Sequence, residues 1–334
     1  MRRHVTPLRS LWWTLALLAI VVGAGSIIYA QQQHIPPAVL AAVLPALLLE
    51  LACYVAIGFP AARERLINLE RERLGPILVL AALAPAVLYP LLLGLFDPAK
   101  IVILFFIVTL VVFWYSAFPH QLWADLAFAA LLVGLTLAHR QLIRDLYPPA
   151  GEIKLDFLGK LMLIRTGAAV MLLIRQAEGI GYGFVPTRRE WRIGFRHFLT
   201  ALPFVTATGF ALGILRLGSP TQSVLLWPAY AVAAFAGCFF VVALSEEFLL
   251  RGVLVRRFIG LTRSILMGSL LGALVSGLVH LPFRGPWNWK FAILSAVAHW
   301  FFGRAFLEGK TIRTSMVTHA LMVTTWVMAF AKSA

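Results

Sequence analysis

The chain has 334 residues, 61% of them hydrophobic and only 13% charged. A soluble domain is about half apolar and about a quarter charged, so an ordinary globular fold is excluded. The formal net charge of +15 would suit a nucleic acid, but the basic residues stand in short clusters between apolar runs, as in loops held at an anionic membrane face. A nucleic-acid partner is set aside, and the lipid bilayer is the expected surroundings.

The opening MRRHVTPLRS carries Arg2, Arg3 and Arg9, and the run behind it is longer than a signal-peptide core and lacks a small-x-small cleavage site. It reads as a retained first helix, Leu11–Ala30. Runs of about 20 apolar residues then predict spans at Pro37–Phe59, Pro76–Phe96, Ile101–Phe118 and Gln121–His139. The stretch 119–125 between the last two reads as a tight wet turn. Cys53 and Cys238 lie inside apolar runs and read as packing residues. After a mixed segment, further spans follow at Phe198–Leu215, Val224–Leu250, Ser264–His280, Trp289–Phe306 and Ile312–Phe330.

Basic clusters orient the second half. TRREWRIGFR, RGVLVRRFIGLTR and GRAFLEGKTIR all fall on the cytoplasmic side if the last four spans alternate and the C-terminus faces outward. Arg140 disturbs the parity of the first half, and FLGKLMLIRTGAAVMLLI restores it if it crosses the membrane despite Lys160 and Arg165. The fold expected is therefore an all-α, polytopic transmembrane helical bundle of about 10 spans. Residues 1–139 form an N-terminal bundle, 140–185 a connecting segment with a sixth span or an interfacial helix, and 186–334 a C-terminal core.

SEEFLLRG, residues 245–252, places two acids and an arginine at the end of an apolar run, where charge is costly. On an α-helix Glu247 and Arg251 stand four residues apart, about 40° round, so Arg251 neutralises Glu247 locally. Glu246 lies about 140° from Arg251 and needs a partner from another helix. In GSLLGALVSGLVH, Gly268, Gly272, Ser276 and His280 form one ridge, with Ser269, Ala273 and Gly277 beside it. Small residues at that spacing admit a neighbouring helix closely. His319 stands on the last span, and two imidazoles with an EExxxR helix point to a reactive site. His299 reads as a structural histidine. Glu50 is an acid inside a span with no partner evident from the sequence.

In their order, EEFLLRG, the helix ending in His280, and FFGRAFLEGKTIRTSMVTHALM resemble the motifs of the CAAX protease and bacteriocin-processing (abortive-infection) family of intramembrane proteases, which includes the type II CAAX prenyl endopeptidases. The resemblance covers roughly residues 185–330. It implies an intramembrane endopeptidase in which Glu246 activates water with help from His280, and His319 polarises the scissile carbonyl. Glu247 and Arg251 would hold the first motif in shape. The substrate would be a membrane-associated peptide or protein, and the location a bacterial inner (plasma) membrane, as an integral multi-pass protein.

Two positions depart from the family pattern. Ser276 stands where an aromatic residue usually precedes the histidine, and Val323 stands where an asparagine or similar group usually donates to the oxyanion. Asn288 is the nearest substitute donor by residue type. No cofactor is expected; zinc held by Glu246, His280 and His319 is the alternative. An impaired relative that binds membrane partners or serves in immunity, and a proton-coupled transporter using Glu50, Glu246 and the histidines, are the rival readings.

Overall fold

The computed structural model describes residues 8–118, 121–138, 142–217, 227–283, 285 and 287–332. Arg2, Arg3, His139, Arg140, the first two residues of the turn expected at 119–125, and Val224 at the head of its expected span lie outside them. The chain forms two compact units, residues Met1–Ala177 and Glu178–Ala334. Among the described residues the elements are helices apart from two three-residue strands, so the all-α class holds.

The first unit contains α1 (Leu8–Gln32), α2 (Pro37–Gly58), α3 (Pro60–Ile67), α4 (Arg71–Leu93), α5 (Pro98–Val112), α6 (Trp114–Ala117), α7 (Leu122–Ala138), α8 (Leu142–Leu146) and α9 (Asp156–Ala169). Their starts follow local chemistry. Proline opens α2, α3 and α5 at the first turn, where a missing N–H costs nothing, and the Asp97 carboxylate caps α5 by accepting from the Ala99 N–H at 3.0 Å. A π-helical turn carries α9 on to Ile174.

Two buried ion pairs tie this unit together. Arg165 on α9 donates to both oxygens of Glu50 on α2, at 2.5 and 2.9 Å, and to the Ala81 carbonyl of α4 at 2.6 Å. Glu50 is fully buried. Arg175 donates to Asp125 on α7, which also accepts from the Tyr115 hydroxyl of α6. The acid without an evident partner is thus matched by one of the two cations that seemed to interrupt a span. Breaking such a buried pair costs about 3–5 kcal/mol, which makes it a structural clamp.

The second unit holds α10 (Arg188–Ala211), α11 (Trp227–Thr262), α12 (Ile265–Val279), α13 (Trp289–Gly309) and α14 (Ile312–Ala329). Strand β1 (Leu215–Leu217) pairs antiparallel with β2 (Phe330–Lys332). The α10 helix begins ten residues before the expected span because Thr187 and Glu190 form a capping box. Thr187 N–H donates to the Glu190 carboxylate at 2.6 Å, and Glu190 N–H to the Thr187 hydroxyl at 3.3 Å. The polar cluster TRREWRIGFR is therefore largely helix, not loop.

The core of this unit is a three-helix contact in which Phe198, Ala201 and Val205 of α10 meet Leu294, Ala298 and Phe302 of α13 and Met322 of α14. Against it, α12 packs on both α11 and α13. A Cβ on Gly268 would come within 2.6 Å of the Ile259 backbone nitrogen of α11, and one on Gly277 within 2.6 Å of the Ala292 carbonyl of α13. The small-residue ridge does what its spacing predicts, on two partners instead of one.

Among the described residues, five helices are long and apolar enough to cross a membrane: Leu8–Gln32, Pro37–Gly58, Glu72–Leu92, Asp156–Ile174 and Trp227–Thr262. Pro98–Val112, Leu122–Leu137 and Ile265–Val279 are apolar but shorter. The segment with Lys160 and Arg165 is thus among the longer candidates, while α10, α13 and α14 are not among the five. Cys53 and Cys238 are free thiols in different units.

Candidate active site

The acids of SEEFLLRG sit on α11 in a short α-turn, Leu244–Glu247, between two π-helical stretches, Cys238–Ala243 and Phe248–Val255. Such widened turns inside a helix recur at functional sites. Glu247 and Arg251 are both fully buried, with the Arg251 Nε 3.3 Å from the Glu247 carboxylate. The local pair read from their spacing is present.

Glu246 faces the other way and is met by imidazoles from three helices. Its Oε2 lies 3.7 Å from His280 Nε2 at the end of α12, 3.5 Å from His299 Nε2 on α13 and 3.9 Å from His319 Nε2 on α14. That oxygen is buried and has no hydrogen-bond partner. All three separations exceed a hydrogen bond and leave the oxygen open to an incoming donor. The rings run as a chain, with His299 5.3 Å from His280 and 5.6 Å from His319 between centroids.

The far nitrogen of each imidazole fixes what the near one presents. His280 Nδ1 is 2.7 Å from the Ser276 carbonyl, which only accepts, so Nδ1 carries the hydrogen and the neutral ring presents a lone pair at Nε2. His319 Nδ1 is 2.9 Å from the Glu247 carboxylate, with the same consequence. His299 is the reverse. Its Nδ1 accepts from the Arg251 guanidinium at 2.6 Å, so its Nε2 carries the hydrogen. Arg251 also donates to the His299 carbonyl at 2.8 Å, and its guanidinium carbon stands 5.7 Å from the centre of the Phe302 ring, which stacks on His319.

The site's frame is fixed at the base of α14. The Glu190 carboxylate accepts from Thr311 Oγ1 at 2.6 Å and from Arg313 at 2.7 Å, and Thr318 Oγ1 donates to the Gly194 carbonyl at 2.9 Å. Burial would push the Glu190 carboxyl up, but the hydrogen bonds from Arg313, Thr311 and the Thr187 N–H outweigh it and hold the group below its usual value. His197 and Arg196 of α10 both bind Glu308 near the end of α13 and lower that carboxyl as well.

The order of these groups is similar to that of a known family. Residues 225–325 match the type II CAAX prenyl endopeptidase Rce1-like family model. The resemblance read from the motifs is thus shown for that segment, which holds Glu246, Glu247, Arg251 and all three imidazoles. It is narrower than 185–330 and leaves α10 and the first unit unmatched. No curated protein and no solved structure matches the chain.

Glu246, Glu247, Arg251, His280 and His319 are brought together. Val323 is half-buried, one turn beyond His319, and can donate no hydrogen bond. Asn288 is not its replacement: its Oδ1 accepts from the Phe291 N–H and its Nδ2 donates to the Phe283 carbonyl, both at 3.1 Å, so it caps α13. Ser276 takes over the positioning of His280 through its carbonyl, which any residue there offers. His299, expected to be structural, joins the site. Its signal was an imidazole inside AVAHWFFGR; its partners lie far away in the sequence.

Zinc is the alternative read from the sequence for Glu246, His280 and His319. Among the described residues the donor atoms of Glu246, His280 and His299 lie within 4.8 Å of one another, as a metal requires. His299, however, presents a hydrogen and not a lone pair. His319 Nε2 stands 3.9 Å from Glu246 Oε2.

Proposed function

We propose that the chain is an intramembrane endopeptidase that hydrolyses a peptide bond of a membrane-associated peptide or protein by glutamate- and histidine-activated water. The observation that carries this reading is the convergence of three imidazoles on the unpartnered oxygen of Glu246. A water placed there finds two acceptors, Glu246 Oε2 and His280 Nε2, for its two hydrogens. Glu246 takes one proton as the water oxygen attacks the carbonyl carbon. The resulting tetrahedral oxyanion collapses, and the leaving amine takes the proton back from Glu246.

His319, oriented by Glu247, can donate to the carbonyl oxygen only while its Nε2 carries a second proton. Glu246 stands 19 residues into α11, about 28 Å at 1.5 Å per residue. That is close to one hydrocarbon thickness, about 30 Å, and it favours cleavage at one face of the bilayer.

The test is cleavage of a prenylated CAAX peptide reporter by the purified chain in liposomes. Wild type is expected to cleave it, and Glu246→Gln to lose at least about a thousandfold of the rate. Equal rates in the two proteins, or no cleavage by wild type, would overturn the proposal. Val323 favours a second reading, an impaired relative that binds its peptide and releases it uncut. Retention of the intact reporter by wild type, unchanged in Glu246→Gln, is its signature.

A further inference from the structure

We propose that His299 donates the hydrogen bond that stabilises the oxyanion, taking the role that Val323 cannot fill. The inference rests on the hydrolytic reading above and adds to it a residue outside the motifs that suggested that reading.

The argument begins at Arg251. A guanidinium has five N–H donors and no acceptor, and one of its NH₂ groups lies 2.6 Å from His299 Nδ1. Nδ1 must therefore be the bare nitrogen, and a proton placed on it would point at another N–H. The imidazole is held neutral with its hydrogen on Nε2, and that atom faces the site 3.5 Å from Glu246 Oε2. The other two imidazoles are committed the opposite way, His280 to the Ser276 carbonyl and His319 to Glu247. Of the three, only His299 offers an uncharged donor without taking up a proton.

An oxyanion donor works when it is already aimed and needs no reorganisation as charge develops. His299 meets that condition. Its side chain is 4% exposed, its Nδ1 and its own carbonyl are both gripped by Arg251, and its ring packs edge-on against Phe302 at 5.2 Å. At 3.5 Å its contact with Glu246 is too long to be a good hydrogen bond, so a substrate carbonyl that approaches Nε2 beside that contact displaces nothing strong. Thr324 has an unpartnered buried hydroxyl, but it lies about 100° round α14 from Val323.

Two measurements test this. In wild-type protein labelled with ¹⁵N-histidine in bilayers, the His299 ring is expected as the neutral tautomer protonated at Nε2. Protonation at Nδ1 would overturn the proposal whatever the activity. In the reporter assay, His299→Leu is expected to lower kcat by about 10²- to 10³-fold with KM little changed. His299→Gln, which returns an N–H near the Nε2 position, should recover part of that loss. Val323→Asn in the His299→Leu background should recover part of it too, because it supplies a donor from the neighbouring helix. A purely structural histidine would not be rescued from position 323. If His299→Leu cleaves as well as wild type, or neither rescue raises kcat, His299 has no such role while the hydrolytic reading stands. If wild type cleaves nothing, the hydrolytic reading fails and this role with it.

Discussion

Replacing Arg251 by methionine removes the positive charge from a site that buries two carboxylates. Arg251 and Glu247 are 1% and 0% exposed, and the guanidinium is the cation beside Glu247. Taking away one partner of such a pair leaves an uncompensated buried charge, at a cost of about 3–5 kcal/mol. Glu247→Leu should cost about as much from the other side, so independent effects would sum to about 6–10 kcal/mol. The double variant removes both members of the pair and leaves Glu246, whose side chain is 27% exposed, as the remaining carboxylate. What remains is His299 Nδ1 and His319 Nδ1 without partners, about 1–3 kcal/mol each, or about 2–6 kcal/mol together. The expected outcome is a double-mutant cycle whose two changes together cost several kcal/mol less than their sum. It is read from denaturant unfolding in mild detergent by tryptophan fluorescence, the chain having ten tryptophans. Additivity within about 0.5 kcal/mol would refute the reasoning, since it would mean that the two charges do not depend on each other.

The acid limb of stability should be sensitive to Glu190. Its carboxyl is held below the usual value in the folded chain, so its contribution is present above the unfolded value near about 4.3 and is lost as pH falls through the lower folded value. Glu190→Gln should lower stability at pH 7 by about 1.5–3 kcal/mol and flatten its fall below pH ~4; an unchanged acid limb would count against the Arg313–Thr311–Thr187 network. Gly277→Ala should destabilise by about 1–3 kcal/mol and reduce cleavage, because its Cβ meets the Ala292 carbonyl, whereas Gly260→Ala, with open space around it, should do neither. Thermal unfolding and the liposome assay read both glycine variants, and equal behaviour of the two would contradict the close approach of α12 and α13.

Much of the helix layout was legible because hydropathy runs set it. Pro37–Phe59, Ser264–His280 and Ile312–Phe330 were each expected within a residue or so of α2, α12 and α14. The start of α10 was misread because its first turns are polar. The Thr187-x-x-Glu190 pattern was the available sign, a cap read from spacing and not from hydropathy. At the site, the Glu247–Arg251 pair followed from a four-residue spacing, as did the need of Glu246 for partners elsewhere. The second partners did not follow. Arg251 reaches His299 across 48 residues, Glu247 reaches His319 across 72, and Arg165 reaches Glu50 across 115. No local periodicity encodes such pairs, since they exist only once helices pack. His299 could be read from the sequence only as a structural histidine or a site residue, because a lone imidazole on an apolar helix gives no sign of which of its nitrogens is taken.

What turns three separate histidines into one set is the shape of the helices that carry them. Imidazole centroids 5.3 and 5.6 Å apart need α12, α13 and α14 to come close together at a common depth, and glycines allow the close contacts of α12 with α13 and of α10 with α14. Gly277 brings α12 against the Ala292 carbonyl of α13, and Gly194 brings α10 against Thr314 and Val317 at the base of α14. Glu190 then fixes α14 by its first turn, and Thr318 fastens the turn that holds His319. Arg251 completes the arrangement from the other side, because one guanidinium neutralises Glu247, sets the His299 tautomer and flanks Phe302. The two adjacent acids of α11 therefore have unlike tasks for a geometric reason. The side chain turned toward Arg251 is spent on holding imidazoles in place, and the one turned away is left without a hydrogen-bond partner where their Nε2 atoms meet.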